Sequence, residues 1–109
     1  MNFYQIPTDG LIELHMGIHF NVMTRSLHSG SLEVSLGRNE SLILWTLSRD
    51  LMKWHSITRL SQVLDRTNAE VLTHVRRLES KLSDTPLEIW RQHERTHKPT
   101  QFRLTPKPT

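Results

Sequence analysis

The sequence predicts a single α+β domain in which an antiparallel β-sheet, three helices and a β-hairpin follow one another along the chain. Apolar and polar residues alternate between residues 11 and 36, which is the pattern of half-buried strands. From residue 41 to residue 82 the apolar residues instead recur every three or four positions, as on one face of a helix. Alternation returns between residues 87 and 105 and predicts two closing strands.

The N-terminal third is expected to form three or four short antiparallel strands joined by hairpins. Residues 1–10 are interpreted as a lead-in, because proline and glycine punctuate them. The small and polar residues at positions 28–31 are typical of a turn between strands. The predicted strands cover residues 11–16, 18–24 and 32–36, with a turn at residues 28–31.

A helix over residues 41–53 follows, and its apolar face should pack against the sheet. Gly37 or Asn39 is the predicted N-cap. Glu40 then falls in the first turn, where the helix dipole favours a carboxylate. The tryptophans of this region have apolar neighbours in sequence and are expected to be packing anchors: Trp45 and Trp54.

A short helix, a tight turn and a longer helix are predicted between Ser56 and Leu82, which together make a helix-turn-helix. Thr67 and Glu70 have the spacing of a capping box at the start of the longer helix. A polar, mostly basic face on such a helix suits the DNA major groove. An ordinary solvated helix face has the same pattern. The residues on this face are Thr73, His74, Arg76, Arg77, Ser80 and Lys81.

The closing strands flank a polar and basic segment, residues 92–100, and this arrangement predicts a β-hairpin wing. Arg95 and Lys98 lie near its tip, where they would contact the phosphate backbone, and the hairpin would lie on the backbone or an adjacent minor groove. Residues 106–109 are interpreted as a tail. The fold predicted for residues 11–105 is therefore a winged helix-turn-helix.

Composition narrows the function classes. The chain of 109 residues has no cysteine, which removes disulfides and thiolate chemistry, and its net charge is +3. Residues 1–75 hold 6 Lys/Arg and 7 Asp/Glu, whereas residues 76–109 hold 8 and 4. The basic excess therefore lies on the end of the longer helix and on everything after it, as contact with nucleic-acid phosphates requires. No apolar run is long enough for a membrane span and no signal peptide is evident, so a cytoplasmic protein is expected.

Catalytic and metal-binding patterns are not found. The seven histidines include two pairs spaced by four residues, but a metal site needs three or four converging ligands. The sequence shows neither a nucleophile with a base nor a phosphate-binding loop. We therefore expect no enzymatic activity, no cofactor, no metal and no small-molecule substrate.

Several spaced motifs support the order of elements. The longer helix ends in HVRRLESKL, residues 74–82, and the last strand contains QFRL, residues 101–104. A third series runs through the second strand, its hairpin and the first helix: Phe20, Arg25, Leu27, Gly30, Leu36, Glu40, Leu44 and Leu47. In these residues the chain resembles the OmpR/PhoB-type winged-helix DNA-binding domains of bacterial response regulators and ToxR-like activators.

The resemblance implies a stand-alone, sequence-specific transcriptional regulator of double-stranded DNA, with residues 68–82 in the major groove and the wing, residues 91–101, on the backbone or minor groove. We expect a homodimer or a partner regulator. Two departures are a shorter connection before the longer helix, which in the family's activators contacts RNA polymerase, and Glu79, where the family favours a basic residue. The alternative is a protein-interaction module, a coregulator or anti-activator on the same scaffold. Predicted DNA contacts are Arg59, which matches a backbone-contact position of the family, Thr73, His74, Arg76, Arg77, Lys81, Arg95 and Lys98.

Overall fold

The computed structural model describes residues 11–14, 17–50, 52–93 and 99–108, and the predicted lead-in lies outside them. None of the helices in these segments has the length and apolar character needed to cross a membrane. The elements, in chain order, are β1 (Leu11–Glu13), β2 (His19–Asn21), β3 (Ser26–Ser29), β4 (Leu32–Ser35), α1 (Arg38–Arg49), β5 (His55–Ser56), α2 (Ile57–Leu64), α3 (Asn68–Lys81), β6 (Leu87–Gln92) and β7 (Gln101–Pro106).

The N-terminal sheet is an antiparallel meander in the order β1-β2-β3-β4. The predicted strand over residues 18–24 is shorter in the structure, because the Asn21 side chain accepts the backbone amides of Met23 and Thr24 and turns the chain. The chain then re-enters the sheet as β3, which the alternation did not predict. The turn at Gly30, with φ of +62°, connects β3 to β4.

Helix α1 begins earlier and ends earlier than the periodicity predicts. Its N-cap is Gly37, which is one of the two predicted caps. The backbone amide of Gly37 donates to Glu40 Oε1 at 2.7 Å. The helix ends at Arg49, four residues before the predicted end at residue 53. Its inward face is formed by the buried residues Ile43, Leu44 and Leu47.

The C-terminal sheet has the order β5-β7-β6, with β7 in the centre. The two long strands form the predicted hairpin, and Ile89 pairs with Leu104. The third strand is only two residues long and was not predicted from the sequence, because two residues are too few for an alternating pattern. In it His55 pairs with Phe102, which joins the start of α2 to the wing.

One core joins the two sheets and the three helices. Its largest fully buried side chains are Phe20 from the N-terminal sheet and Phe102 from the C-terminal sheet. The helices close the space between the sheets with aliphatic residues at helical spacing. The buried members from α2, α3 and the turn after α3 are Ile57, Leu60, Leu64, Val71, Val75, Leu78 and Leu82. This core determines which face of α3 is left open to solvent.

Candidate nucleic-acid interface

Helix α3 is anchored along its apolar stripe. Val71, Val75 and Leu78 are completely buried, and the helix packs against both α1 and α2. The residues at the other side of the helix are exposed to solvent: Ala69, Thr73, Arg76, Arg77 and Ser80. A rigidly held helix therefore presents an open face of small and basic side chains.

The start of α3 has the predicted capping box. The Thr67 hydroxyl accepts the backbone amide of Glu70 at 3.2 Å, and the Glu70 carboxylate accepts the backbone amide of Thr67 at 3.2 Å. The backbone and hydroxyl of Thr67 lower the pKa of Glu70, with a smaller contribution from Arg66. Helix α2 ends just before, at Leu64, and its C-cap, Asp65, has a left-handed φ of 54°. Only three residues, 65–67, thus separate the two helices, which makes a tight helix-turn-helix.

Arg76 and Arg77 lie on the open face and are both exposed. Within the part of the chain that the structure describes, neither side chain forms an ion pair or a hydrogen bond. Adjacent residues of an α-helix are about 100° apart, so the two arginines flank the middle of this face. Arg77 is on the side of α1, where its charge helps to lower the pKa of Glu40. Arg76 is on the side of Glu79 and the wing.

Two other residues of the predicted face turn toward α1 instead. His74 Nε2 is 3.0 Å from Asn39 Nδ2, and the Lys81 ammonium donates to Glu40 Oε1 at 2.6 Å. Glu40 is almost completely buried, and Lys81 is partly exposed. The structure therefore places His74 and Lys81 at the contact between α3 and the first turn of α1. Sequence periodicity assigned them to the open face, because it locates residues on a helix but not the neighbouring helix.

The Glu40 carboxyl is held as an anion. Burial raises its pKa, but the hydrogen bonds from Lys81 and from the Gly37 amide, together with the charges of Lys81 and Arg77, outweigh burial and hold the pKa below the ordinary value of 4.5. A depressed pKa means that the unfolded chain binds the proton more readily. The contribution to stability is therefore present above about pH 5 and is lost as the pH falls through the folded pKa.

Glu40→Gln is accordingly expected to destabilise the domain by about 1–2 kcal/mol at pH 7, since Lys81 loses its anion but is itself partly screened by water. The gap between the free energies of unfolding of the wild type and the variant should narrow as the pH falls from 5 to 3, because the wild-type carboxyl becomes neutral in this range. Urea unfolding at pH 7, 5, 4 and 3 measures this gap. A gap of constant size across the series would contradict the assignment of Glu40 as the stabilising anion.

Glu79, the acidic residue where the family favours a basic one, has a partner in the wing. Its Oε1 lies 3.2 Å from Nη2 of Arg91 in β6, and the Arg91 guanidinium stacks over the Phe102 ring at 5.4 Å. The negative charge of Glu79 is therefore compensated from the wing. The pair also joins α3 to β6, so the two elements predicted to contact DNA are held together. The sequence gave no signal for this ion pair, because Glu79 and Arg91 lie 12 positions apart in different elements.

The remaining predicted contacts have different outcomes. Thr73 is exposed, and its hydroxyl donates to the Ala69 carbonyl at 3.3 Å, which leaves its methyl group on the open face. Arg59 is exposed in the first turn of α2, and its charge is close enough to lower the pKa of His55, although burial lowers that pKa more. Arg95 and Lys98 lie outside the described residues, so their predicted roles stay predictions.

The base of the wing lies beside the start of α3. The Ile57 amide donates to the Thr100 carbonyl at 2.8 Å, and a cleft of about 220 Å³ separates this junction from the helix. Its lining residues are Ile57, Asn68, Leu72, Pro99 and Thr100. The wing thus emerges next to the open face of α3, so that one surface can include both.

The two predicted packing anchors differ. Trp45 is half-buried against the core, with the Arg49 guanidinium over its ring at 5.4 Å, so its prediction is confirmed. Trp54 is 38% exposed and carries Arg103 over its ring, which corrects the expectation that it packs inward. The expectation rested on the apolar neighbours of Trp54 in sequence, which do not report on Arg103, 49 positions away.

Comparison with known proteins gives a likeness in fold. No protein-family model matches the chain, and no curated protein matches it. The structure is similar to the crystal structure of the DNA-binding domain of the response regulator AdeR in complex with an intercistronic region. The TM-score is 0.67 at 20% sequence identity, over 88% of this chain and 100% of that domain. The predicted winged-helix fold and its resemblance to the OmpR/PhoB type are confirmed at the level of fold.

Proposed function

We propose that this protein binds double-stranded DNA as a transcriptional regulator, with α3 in the major groove and the wing on the backbone or minor groove. The observation that carries the proposal is the exposure of Arg76 and Arg77, together with the lack of a carboxylate partner among the described residues. Both are exposed on a helix whose opposite stripe is fully buried, and neither is neutralised by a carboxylate of the described residues. Arginine is suited to bidentate bonds with guanine in the major groove.

The likeness to a domain crystallised with an intercistronic region supports the proposal, since a fold of the same shape has held DNA there. The contacts of Glu79 also support it. Its acidic side chain was the main feature of the sequence against a basic helix face, and Arg91 neutralises it. The positive potential of the open face therefore comes from Arg76 and Arg77 without an opposing charge between them and the wing.

The predicted contacts divide into three groups on this basis. Arg76, Arg77 and Thr73 are proposed to face the groove, and Arg59, Arg95 and Lys98 are proposed to face phosphates. Lys81 and His74 are proposed to support the helix from α1 instead, because a phosphate contact by Lys81 would separate it from the buried Glu40. Asn39 and Glu40 then act on DNA binding only through the position of α3.

A dimer on two half-sites completes the proposal, because a single small module makes a small interface with DNA and two modules multiply the affinity. A second copy of this chain or a partner regulator would serve equally well. Analytical ultracentrifugation with a duplex that contains two half-sites distinguishes two bound copies from one.

The salt dependence of binding tests the proposal directly. Each neutralised phosphate contributes about −0.9 to the slope of log affinity against log salt. If about four phosphates are neutralised, affinity for a mixed-sequence duplex should fall roughly 150-fold between 50 and 200 mM salt. Fluorescence anisotropy of a labelled duplex measures this slope.

A flat salt response, or no duplex binding at 50 mM salt, would overturn the proposal in favour of the alternative, a protein-interaction module on a winged-helix scaffold. Heparin retention followed over the same salt series is a useful companion measurement, since it reports on the basic surface without base pairs. Retention by heparin without duplex binding would also contradict groove reading by α3.

A further inference from the structure

A second surface lies on the outer face of the C-terminal sheet. Trp90 of β6 is directly opposite Arg103 of β7, and Trp54 lies just before β5 on the other side of β7. The Arg103 guanidinium carbon is 4.6 Å from the centroid of the Trp90 ring and 4.9 Å from that of Trp54. One cation is therefore held between two indoles, which we call the Trp–Arg–Trp cluster (Trp54, Arg103 and Trp90).

The indoles of this cluster are unusually open. Trp90 is 43% exposed and Trp54 is 38% exposed, and nearby Met52 is 48% exposed. The neighbouring residues of β7, Phe102 and Leu104, point the opposite way and are completely buried in the core. The cluster thus belongs to the solvent side of the sheet, where large apolar side chains gain little from the fold of the chain itself.

The charge of Arg103 is not compensated. Among the described residues, its side chain makes no ion pair and no hydrogen bond, and its Nε is buried without a partner. Glu88, two residues before Trp90 on the neighbouring strand β6, accepts from the Trp90 indole nitrogen at 2.8 Å. Nε is closed off from solvent, whereas the two Nη atoms are not, so a partner from outside the chain can bond to the Nη atoms without breaking a hydrogen bond of the described residues.

The geometry favours a carboxylate as that partner. The guanidinium carbon lies over both indole rings, and the N–H donors of the two Nη atoms lie in the guanidinium plane, where a carboxylate accepts two of them side by side. The indoles hold the guanidinium in place before anything binds, so little side-chain freedom remains to be lost. Apolar side chains that flank the carboxylate would rest on the exposed indoles.

The residue types favour a protein over a nucleic acid. Tryptophan, arginine and methionine are enriched in the centres of protein interfaces, and tryptophan and arginine are the commonest hot spots. A surface for the phosphate backbone needs several cations. The cluster itself holds one cation, Arg103, and Lys53, which directly precedes Trp54 in the chain, already lies 3.8 Å from Asp50.

We propose that the Trp–Arg–Trp cluster docks an acidic segment of a partner protein, in which an Asp or Glu carboxylate bonds to Arg103 and adjacent apolar side chains cover Trp54 and Trp90. This surface is separate from the open face of α3. The protein would then hold DNA with one face and a partner protein with another, and the second role stands whether or not the first is correct.

Selection from a displayed peptide library tests the chemistry of the partner. The full chain is panned in parallel with Arg103→Met, which keeps a long apolar side chain but removes the charge. Arg38→Met serves as the matched control, because Arg38 is an exposed arginine of α1, outside the C-terminal sheet. Peptides enriched by the wild type and by Arg38→Met should carry Asp or Glu beside apolar residues. A synthetic peptide of that consensus should bind Arg103→Met at least about tenfold more weakly.

Enriched peptides without acidic residues, the same peptides from Arg103→Met, or no enrichment above that variant would each overturn the proposal. Thermal unfolding and circular dichroism check that the variant is folded. Trp90→Ser provides a second variant at a more exposed position and should lose the consensus peptide as well. Binding that survives in a folded Trp90→Ser would also count against the cluster.

Two further measurements exclude the other occupants. Arg103→Met should bind duplex DNA within about twofold of the wild type, since one phosphate contact at most is removed. A large loss would assign the cluster to the nucleic-acid surface and overturn the proposal. Sedimentation equilibrium should show the same oligomeric state for both proteins. A dimer that dissociates in Arg103→Met would identify a second copy of this chain as the occupant instead.

Discussion

Arg76→Ala and Arg77→Ala are each expected to weaken binding to a selected duplex by roughly 5- to 150-fold, which corresponds to the loss of one good base contact of about 1–3 kcal/mol. Because the two side chains project about 100° apart from the helix axis, they should contact different base pairs. Each variant should therefore relax the sequence preference at its own position. Duplexes selected from a random pool with the wild type, then measured by anisotropy with each variant, give both quantities.

Lys53→Ala is the control for these two variants. Lys53 lies after the end of α1, its side chain is 74% exposed, and its removal also changes the net charge by one. It should leave both the affinity and the sequence preference nearly unchanged. If Arg76→Ala and Arg77→Ala reduced binding to all duplexes equally, the arginines would be phosphate contacts rather than base contacts. If neither changed binding at all, α3 would not be the groove-reading helix.

Phe102→Ala is expected to cost about 3–5 kcal/mol of the free energy of unfolding, because it empties a fully buried aromatic site. Domains of this kind are stable by only about 5–15 kcal/mol, so this loss is a large fraction of the total stability. Phe102 lies on the central strand of the C-terminal sheet, opposite both His55 and Arg91. The loss therefore affects the junction between the wing and α2 as well as the core.

Urea unfolding of Phe102→Ala and Phe102→Leu separates the cavity from the shape of the ring. Leucine refills most of the cavity and should cost much less than alanine. Both variants lose the ring beneath the Arg91 guanidinium, so the position of Arg91 and its ion pair with Glu79 should be affected in both. A cost below about 1 kcal/mol for Phe102→Ala would contradict the central place of β7 in the core.

Much of the fold follows from local patterns. The capping box at Thr67 and Glu70 placed the start of α3, and the helical spacing of Val71, Val75 and Leu78 placed its buried side. Both act within one helix, so a single segment of sequence contains all the partners involved. Strand β3 was missed for the opposite reason, because its residues become a strand only through pairing with β2 and β4.

The residues of the candidate site divide in the same way, between those placed by one segment of sequence and those placed by partners far away in the chain. Exposure of Arg76 and Arg77 was predicted, since both lie opposite the apolar stripe of the same helix. His74 and Lys81 were also predicted for the open face, but the structure places both at the contact with α1. Their partners, Asn39 and Glu40, are 35 and 41 positions away, and no periodicity within α3 reports on them.

Sequence by itself determined the order of N-terminal sheet, three helices and closing hairpin, the start of α3 and the direction in which its two exposed arginines point, because backbone geometry and short-range hydrogen bonds suffice for these. Only the tertiary structure decided which charges remain available. It joined Lys81 to Glu40 and Glu79 to Arg91, and it left Arg103 between Trp54 and Trp90 without a carboxylate. Electrostatic pairing depends on distance in space, and packing sets that distance between residues far apart in the chain.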